Sequence, residues 1–505
     1  MKKFLVLMLA MLMLAMPLLV ACSDDGDDKS GDASNGGATS SSNQNTSGEE
    51  DDYLAVFPLE EKRYDTTVTI MTRDHRYAQQ FCATEEYEGS VINSAVQARN
   101  DLIEEKYGIK IEHFVTARPA NDIESFILND MDDYDIVSDA VHFMIVHTTD
   151  NWFWSLNDLL DLNQPWWDQN AINQLTLSDK VFYVAGDAIF ADDLMTAGIL
   201  FNKTVYSERY ESTYGSMYEM VDNGTWTLDK LAEMAKDFAQ PDENGNWMTE
   251  GAYYGVVTDG YTGATMLTNG QGAVSAYKDE AGNIKLSGGD ELSLKAFDSV
   301  YNLLNDTTVS LYAEQFSPTD FGAPFNSFVS GHALFRVGYI DQLLGIMESE
   351  VTNKVNAGIV PIPKASEAQE DYHCGINVYQ SDVLAIPVSN NENLEATAYA
   401  MELMGYYSMP ECQLGKDSVI YAFYEDTLKY QSITDDNDAR MLDLISNSRI
   451  YDIGGAFNWG QNLIGIYSFN LYRGSNTLAS TWEAELPAVQ AALEATLKAY
   501  EESIN

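Results

Sequence analysis

The chain is predicted to be an α/β protein of two lobes. Two observations carry this. Between residues 64 and 140, strand-like and helix-like stretches alternate, which implies a parallel sheet with helices on its faces. Beyond a polar leader, about 440 residues remain, more than one hydrophobic core serves, so a second lobe is expected.

The leader comes first. Lys2 and Lys3 precede 18 uncharged residues, Phe4 to Ala21, and the run ends in Leu19-Val20-Ala21-Cys22. A basic start, an apolar core and a small residue before the cut make a secretory signal over 1–21. The ending resembles a bacterial lipobox, with Cys22 as the lipidated first residue and an anchor in the membrane. A plain membrane span is the competing reading, and Pro17 and the position of the cysteine argue against it. No later stretch approaches the ~20 apolar residues that span a bilayer. Residues 23–52 hold nine acids and no large apolar side chain, so 22–52 is read as a disordered leash, with the folded part beginning near Tyr53.

The elements follow in order. "DTTVTIM" (65–71) alternates as a strand, and Val91, Ala95, Ala98, Leu102 and Ile103 fall on one face of a helix over 91–105. "YGIKIEHFV" is a strand, "ANDIESFILNDM" a helix and "YDIVSDA" a strand. "LNDLLDLNQPWW" reads as a short helix ending at a paired tryptophan. "DKVFYVAGD" (179–187) and "TAGILFNKTVY" (196–206) read as further strands. Helices are expected at 227–239, 293–305, 322–331 and 338–350, and a hairpin turns at Glu280-Ala281-Gly282-Asn283. "VNAGIVPIP" and "SDVLAIPVS" are apolar strands, and helices follow at 392–407, 436–447 and 482–503. Trp226 precedes the helix at 227 as one half of a hydrophobic staple with Leu231. Thr227 is the N-cap, Asp229 lies in the first turn, and Lys230 at N3 precludes a reciprocal capping box.

Composition excludes several functions. A formal net charge of −50 repels nucleic acid and anionic membrane surfaces and disfavours an anionic ligand. Cys22, Cys82, Cys374 and Cys412 show no CxxC spacing, which leaves room for one disulfide but gives no zinc site. The chain contains no GxSxG, HExxH or GxxxxGK[ST] motif, and His142 and His147 are five apart, off a common helix face. No catalytic residue, metal or cofactor is assigned. With 78 acids some carboxylate pairs arise by chance, so a surface glycoside hydrolase stays open as an alternative.

Four stretches in order carry a resemblance: "AGILFNKTVYSE" (197–208), "GTWTLDKLAEMAKDF" (224–238), "FNSFVSGHALFRVGYID" (325–341) and "AGIVPIPK" (357–364), followed by "LAIPVSNNENLEATAYAMELM" (384–404). Together they resemble the extracellular solute-binding proteins of ABC importers, carbohydrate-binding cluster (family 1). The resemblance implies a two-lobed periplasmic-binding-protein-like (type II) fold, with hinge crossings near 198–202, 374–380 and 431–435 and a ligand cleft between the lobes. On that pattern 53–200 and 378–432 form the N-terminal lobe, and 201–377 and 433–505 the C-terminal lobe. It implies a monomer, anchored on the extracytoplasmic face, that captures a sugar (an oligosaccharide, given the aromatics) by hinge closure and passes it to permease subunits. A peptide or cationic solute, or a sensory role with the same fold, are the alternatives.

A sugar site needs aromatic faces together with polar groups on loops after strands. Arg73 and Asp74 follow the first strand; a solvated surface pair is the competing reading. Ser138 and Asp139 follow "YDIV", with His142 behind them, a position that also suits a structural histidine. Tyr339 stands where the family often carries an aromatic after the glycine turn, and it departs from the common tryptophan; Arg336 adds a donor. In "YDIGGAFNWG", Trp459 is placed to stack and Asn458 to hydrogen-bond, against the alternative of a tryptophan plugging the lobe interface. Trp152 and Trp154 either pack the N-terminal lobe or touch ligand, and Trp166 and Trp167 read as structural.

Overall fold

The computed structural model describes residues 56–503 except 76, 130, 132, 317–321 and 433–434. The signal segment, Cys22 and the leash lie outside the described residues. Thirteen strands occur among those described: β1 Thr66–Arg73, β2 Ile109–Thr116, β3 Ile136–Ala140, β4 Ala197–Asn202, β5 Tyr254–Thr258, β6 Ala276–Lys278, β7 Ile284–Leu286, β8 Ser310–Tyr312, β9 Ala333–Tyr339, β10 Ala357–Val360, β11 Cys374–Gly375, β12 Asp382–Ala385 and β13 Arg449–Ile450.

Two sheets organise the molecule. The first runs β12-β3-β1-β2, with β1, β2 and β3 parallel and β12 antiparallel to β3. Helices Val91–Tyr107 and Leu394–Ser408 pack on it and on each other. Ser90 caps the first of these by accepting from Asn93 N, and Gly108 ends it in the left-handed region at φ 67°. The second sheet runs β10-β4-β9-β5-β8; β9, β5 and β8 are parallel, while β4 is antiparallel to both its neighbours. Helix Leu228–Phe238 lies across β5 and β9.

At its start Thr227 is the N-cap, its hydroxyl accepting from Lys230 N. Trp226 is fully buried, its Nε1 donates to Pro361 O at 2.8 Å, and its ring centroid lies 5.7 Å from that of Phe335. Glycine at 255 makes the helix–sheet approach feasible, since a Cβ there would lie 2.2 Å from Ala235 O.

The chain passes from helix Ala191–Leu194 beside the first sheet into β4 of the second, and later from β10 through β11 back to β12. At this junction β11 pairs with β13, and Thr196 bridges to Ile376. Here Arg449 is buried among carboxylates. Its Nη1 is 2.6 Å from Asp168 Oδ2 and 3.3 Å from Asp192 Oδ2, its Nη2 donates to Asp193, and its Nε donates to Thr196 Oγ1 at 3.0 Å.

The C-terminal helix, Leu478–Glu502, touches both halves. Trp482 covers Gly288 and Gly289, while Tyr500 meets Phe182 edge-on at 5.3 Å and Lys180 Nζ donates to Ser503 Oγ at 2.6 Å.

Some expectations need correcting. Residues 179–187 form no strand: Val181–Ala185 are buried, but Val184 alone of these five makes a bridge, to Leu384. "LNDLLDLNQPWW" is a series of turns without a regular helix. The helix expected over 338–350 begins at Asp341, because Ala333–Tyr339 is claimed by ladders on both sides, to β4 and β5. The run 196–206 is strand only to Asn202, where the Asn202 side chain accepts from Val205 N and caps a helix over Lys203–Arg209. Cys82, Cys374 and Cys412 are free thiols. No helix among the described residues is long and apolar enough to cross a membrane.

Candidate functional site

Parallel strands bring their C-terminal ends to one edge of a sheet, and ligands in open α/β folds gather there. On the first sheet that edge carries Arg73 from β1 and Asp139 from β3, and antiparallel β12 starts beside them, with Asp382 opposite Ala140. Arg73 is buried and fully engaged. Its Nε lies 2.8 Å from Asp382 Oδ1, its Nη1 donates to Tyr379 O at 3.3 Å, and its Nη2 donates to Gln380 O. His75 Nε2 is 3.0 Å from Asp382 Oδ2. Burial alone would raise the Asp382 carboxyl, but the Arg73 and His75 partners outweigh it and hold it below the usual carboxylate range.

Asp139 accepts from Arg118 Nη1 at 3.0 Å, Ala120 N at 3.2 Å and Ala140 N at 2.7 Å. Burial outweighs these donors and pushes it up. Arg118 also lies over the Phe143 ring, 3.7 Å from its centroid. Ser138 is buried in the sheet, and Asp74 is exposed beyond the strand end. His142 is held by its Nδ1, which donates to Ala456 O at 3.0 Å, and burial lowers its pKa, so the imidazole is neutral. Its ring lies 5.3 Å from Tyr379.

The matching edge of the second sheet gathers the ends of β5, β8 and β9. Asp259 caps helix Gly260–Gly270, accepting from Thr262 N at 2.8 Å and Thr262 Oγ1 at 2.6 Å. Thr262 Oγ1 is in turn 3.0 Å from the Tyr339 hydroxyl, which burial pushes well up. Arg336 is buried three residues before Tyr339 in β9, on the other face of the strand. Its Nε donates to Gln342, its guanidinium lies 5.2 Å from the Phe325 centroid, and burial lowers its pKa to about 10. Glu314 accepts from Gly260 N and from the Tyr472 hydroxyl, both at 2.7 Å.

The two edges meet. The Tyr77 hydroxyl lies 3.5 Å from Asp341 Oδ2, and Tyr261 meets Tyr379 edge-on at 5.5 Å. Tyr261, Tyr379, His142 and Phe143 all remain partly exposed, so rings and polar groups face the junction from both sheets. The structure thus gathers Arg73, Asp139 and His142 at one edge and Arg336 and Tyr339 at the other.

Asn458 and Trp459 follow Ala456, whose carbonyl holds His142, but their own side chains are engaged elsewhere. Asn458 sits at φ 50° with its Oδ1 accepting from Ile464 N at 3.1 Å, a tight turn. Trp459 is buried, stacked on Phe457 at 5.1 Å, with its Nε1 donating to Thr496 Oγ1 of the C-terminal helix at 3.0 Å. Both faces of its ring are taken by packing.

Of the other tryptophans, Trp152 stacks on His147 at 4.4 Å and Trp154 donates to Asn390 O at 3.2 Å. Trp166 and Trp167 are buried. Sequence reasoning missed His75, Tyr77, Arg118, Asp259, Tyr261, Tyr379 and Asp382. Recognising "YGVVT" as β5 would have placed Asp259 and Tyr261 at a strand end, and the crossing expected near 374–380 already contained Tyr379.

No family model matches the chain, and no curated protein matches it in sequence. Solved structures do match in shape. UgpB from Mycobacterium tuberculosis, in complex with glycerophosphocholine, superposes with a TM-score of 0.55 at 13% identity, covering 85% of this chain and 98% of that one. A cyclo/maltodextrin-binding protein complexed with maltotetraose gives 0.54 at 14% identity, covering 88% and 100%. The fold is the two-lobed periplasmic-binding-protein-like one. An ABC substrate-binding protein from Listeria monocytogenes in complex with cycloalternan agrees, at 0.54 and 10% identity over 85% and 99%. Arg73, Asp139 and Tyr339 stand at strand ends of the two sheets, and Asp259 and Tyr261 just past the end of β5.

Proposed function

We propose that this protein is a solute-binding protein that captures a carbohydrate, an oligosaccharide in particular, between its lobes and delivers it to an ABC permease. One observation carries the reading: the strand ends of both sheets converge with partly exposed rings, Tyr261 and Tyr379, beside charged and amide groups already fixed by their own hydrogen bonds. Rings stack on the apolar faces of a sugar, and preorganised donors and acceptors meet its hydroxyls. Hinge closure around such a ligand needs no covalent chemistry. Solved structures of like shape, binding proteins in complex with maltotetraose or cycloalternan, support the same class. The basic leader, apolar run and Leu-Val-Ala-Cys ending support lipidation at Cys22 and an extracytoplasmic, membrane-anchored monomer.

A thermal-shift and calorimetric screen from monosaccharides to oligosaccharides tests it. A true ligand at 100 times its Kd adds about 2.7 kcal/mol. Mass spectrometry of any solute retained by the purified protein identifies the class directly. Turnover of a chromogenic glycoside would count against the reading. Asp259, Glu314 and Asp341 along the second edge favour a second reading, a cationic solute or peptide. Stabilisation by polyamines or basic peptides, with none by sugars, would select it. Co-purification with permease subunits separates delivery from a sensory role.

A further inference from the structure

A cavity of about 590 Å³ lies away from the strand-end junction, within the size range of ligand sites. Gly272 and Val274 line it, just past the C-terminal end of helix Gly260–Gly270, whereas Tyr261 is at the start of that helix. An 11-residue helix is about 16 Å long, so the cavity and Tyr261 are separate places. Elements from both sides of the crossing build its walls. Asn173 and Gln174 come from helix Gln169–Leu175, Tyr277 and Lys278 from the β6–β7 hairpin, and Ile450, Tyr451 and Ile453 from β13, the residue after it and the start of helix Ile453–Phe457. Lys278 Nζ donates to Thr176 O at 2.9 Å and holds the hairpin against the first of these.

The lining has a consistent chemistry. Val274, Leu292, Ile450 and Ile453 are apolar, and Leu292 and Tyr277 are each 47% exposed, two large apolar surfaces left open to water on the same cavity. Two of its polar groups, His373 and Gln174, are neutral. Burial lowers the His373 pKa, so its imidazole offers one donor and one acceptor. Gln174 uses its Oε1 to accept from Tyr451 N at 2.7 Å and keeps its amide N–H groups. Asp279 is occupied by Asn283 N at 2.8 Å, and Asp290 by Ser293 N at 2.8 Å, as turn and helix caps. Lys278, Asp279 and Asp290 put charges of both signs on the lining, each already hydrogen-bonded to backbone, while a flat ring with edge nitrogens finds apolar walls and amide and imidazole partners.

We propose that this cavity is a second binding site, for a heteroaromatic compound of up to nucleoside size. Both sides of the crossing contribute to it, so occupancy is coupled to the arrangement of the two lobes.

The test uses indole and adenosine as probes, titrated into the purified full chain by saturation-transfer NMR. Saturable binding of at least one, weakened tenfold or more by Leu292→Trp and unaffected by Tyr261→Ala, is the expected result. Leu292 is surface-exposed, so filling from there spares the core; Val274→Phe fills from another lining position should the first variant melt early. Neither compound saturating, filling variants that bind like the parent, or loss of binding in Tyr261→Ala would each overturn the proposal.

Discussion

Arg449 holds the junction between the sheets, and Arg449→Met tests that. The guanidinium is the shared partner of Asp168, Asp192 and Asp193, and it is itself buried. Removing one member of a buried ion pair costs about 3–5 kcal/mol, because the remaining charge stays desolvated. Unfolding entropy of ~2.1 cal/mol/K per residue over roughly 450 folded residues is about 0.9 kcal/mol/K, so the expected loss in Tm at pH 7.5 is about 3–5 °C. The pH dependence has a definite sign. Burial, with Asp193 beside it, already pushes Asp192 well above the carboxylate range despite Arg449, and burial likewise raises Asp187. For an acid with a raised folded-state pKa, the destabilisation is present at high pH and relieved as pH falls through that value. Asp168 is held down against burial chiefly by Arg449, and in the variant it joins the raised set. The Tm gap to the parent therefore narrows between pH 8 and pH 5 in differential scanning calorimetry. A gap under 1 °C at pH 7.5, or one that widens on acidification, would refute the reasoning.

Five further outcomes follow from the same geometry. Tyr261→Ala removes a partly exposed ring, and for the solute identified by screening it weakens binding by about 2 kcal/mol, roughly thirtyfold in Kd by calorimetry, with the unliganded Tm unchanged. Trp226→Ala empties a fully buried site and costs about 3–5 kcal/mol in chemical denaturation. Trp226→Phe keeps the ring but leaves the Pro361 carbonyl without its donor, which costs about 1–3 kcal/mol. Gly255→Ala drives a Cβ into the Ala235 carbonyl, where backbone has to move, and costs about 3 kcal/mol or more by the same assay. Asp382→Asn is less stable than the parent at pH 7, and the difference closes as urea melts are repeated below about pH 4. An acid held low when folded gives stability that is present above its unfolded pKa, about 3.9, and lost as pH falls through the folded value.

Local periodicity made the long helices and the first sheet legible. Val91–Tyr107, Leu228–Phe238 and Asp436–Asn447 each bury one stripe, and β1 alternates. The second sheet was harder, for a physical reason. β5 is buried on both faces, so it shows no alternation, and it is five residues long. β9 is likewise buried throughout, and its Gly338-Tyr339 end read as the start of the next helix. Losing β5 hid Asp259 and Tyr261, whose placement depends on where that strand ends. Trp459 shows the opposite error. An aromatic beside glycines suggests close approach to a ligand, and the close approach here is to Val489 of the C-terminal helix, 3.0 Å from a Cβ placed at Gly460. Composition identifies the tight contact and leaves the partner undetermined.

Tyr379 ties the candidate site to the crossing. It lies between β11 and β12, on the segment that returns the chain to the first sheet, and its ring faces both Tyr261 and His142. Arg73 grips that same segment through the carbonyls of Tyr379 and Gln380 and the carboxylate of Asp382. A solute stacked on Tyr379 therefore pushes on backbone that is fixed to the first sheet at one end and leads into the β11–β13 pair at the other. On the proposed function, ligand contact and lobe movement would share residues, and coupling would need no relay through the cores. Arg73→Ala separates the two effects. It releases Tyr379 and Gln380 without altering any ring at the junction, so a solute that relies on stacking alone keeps its affinity, whereas one that relies on a fixed Tyr379 loses it.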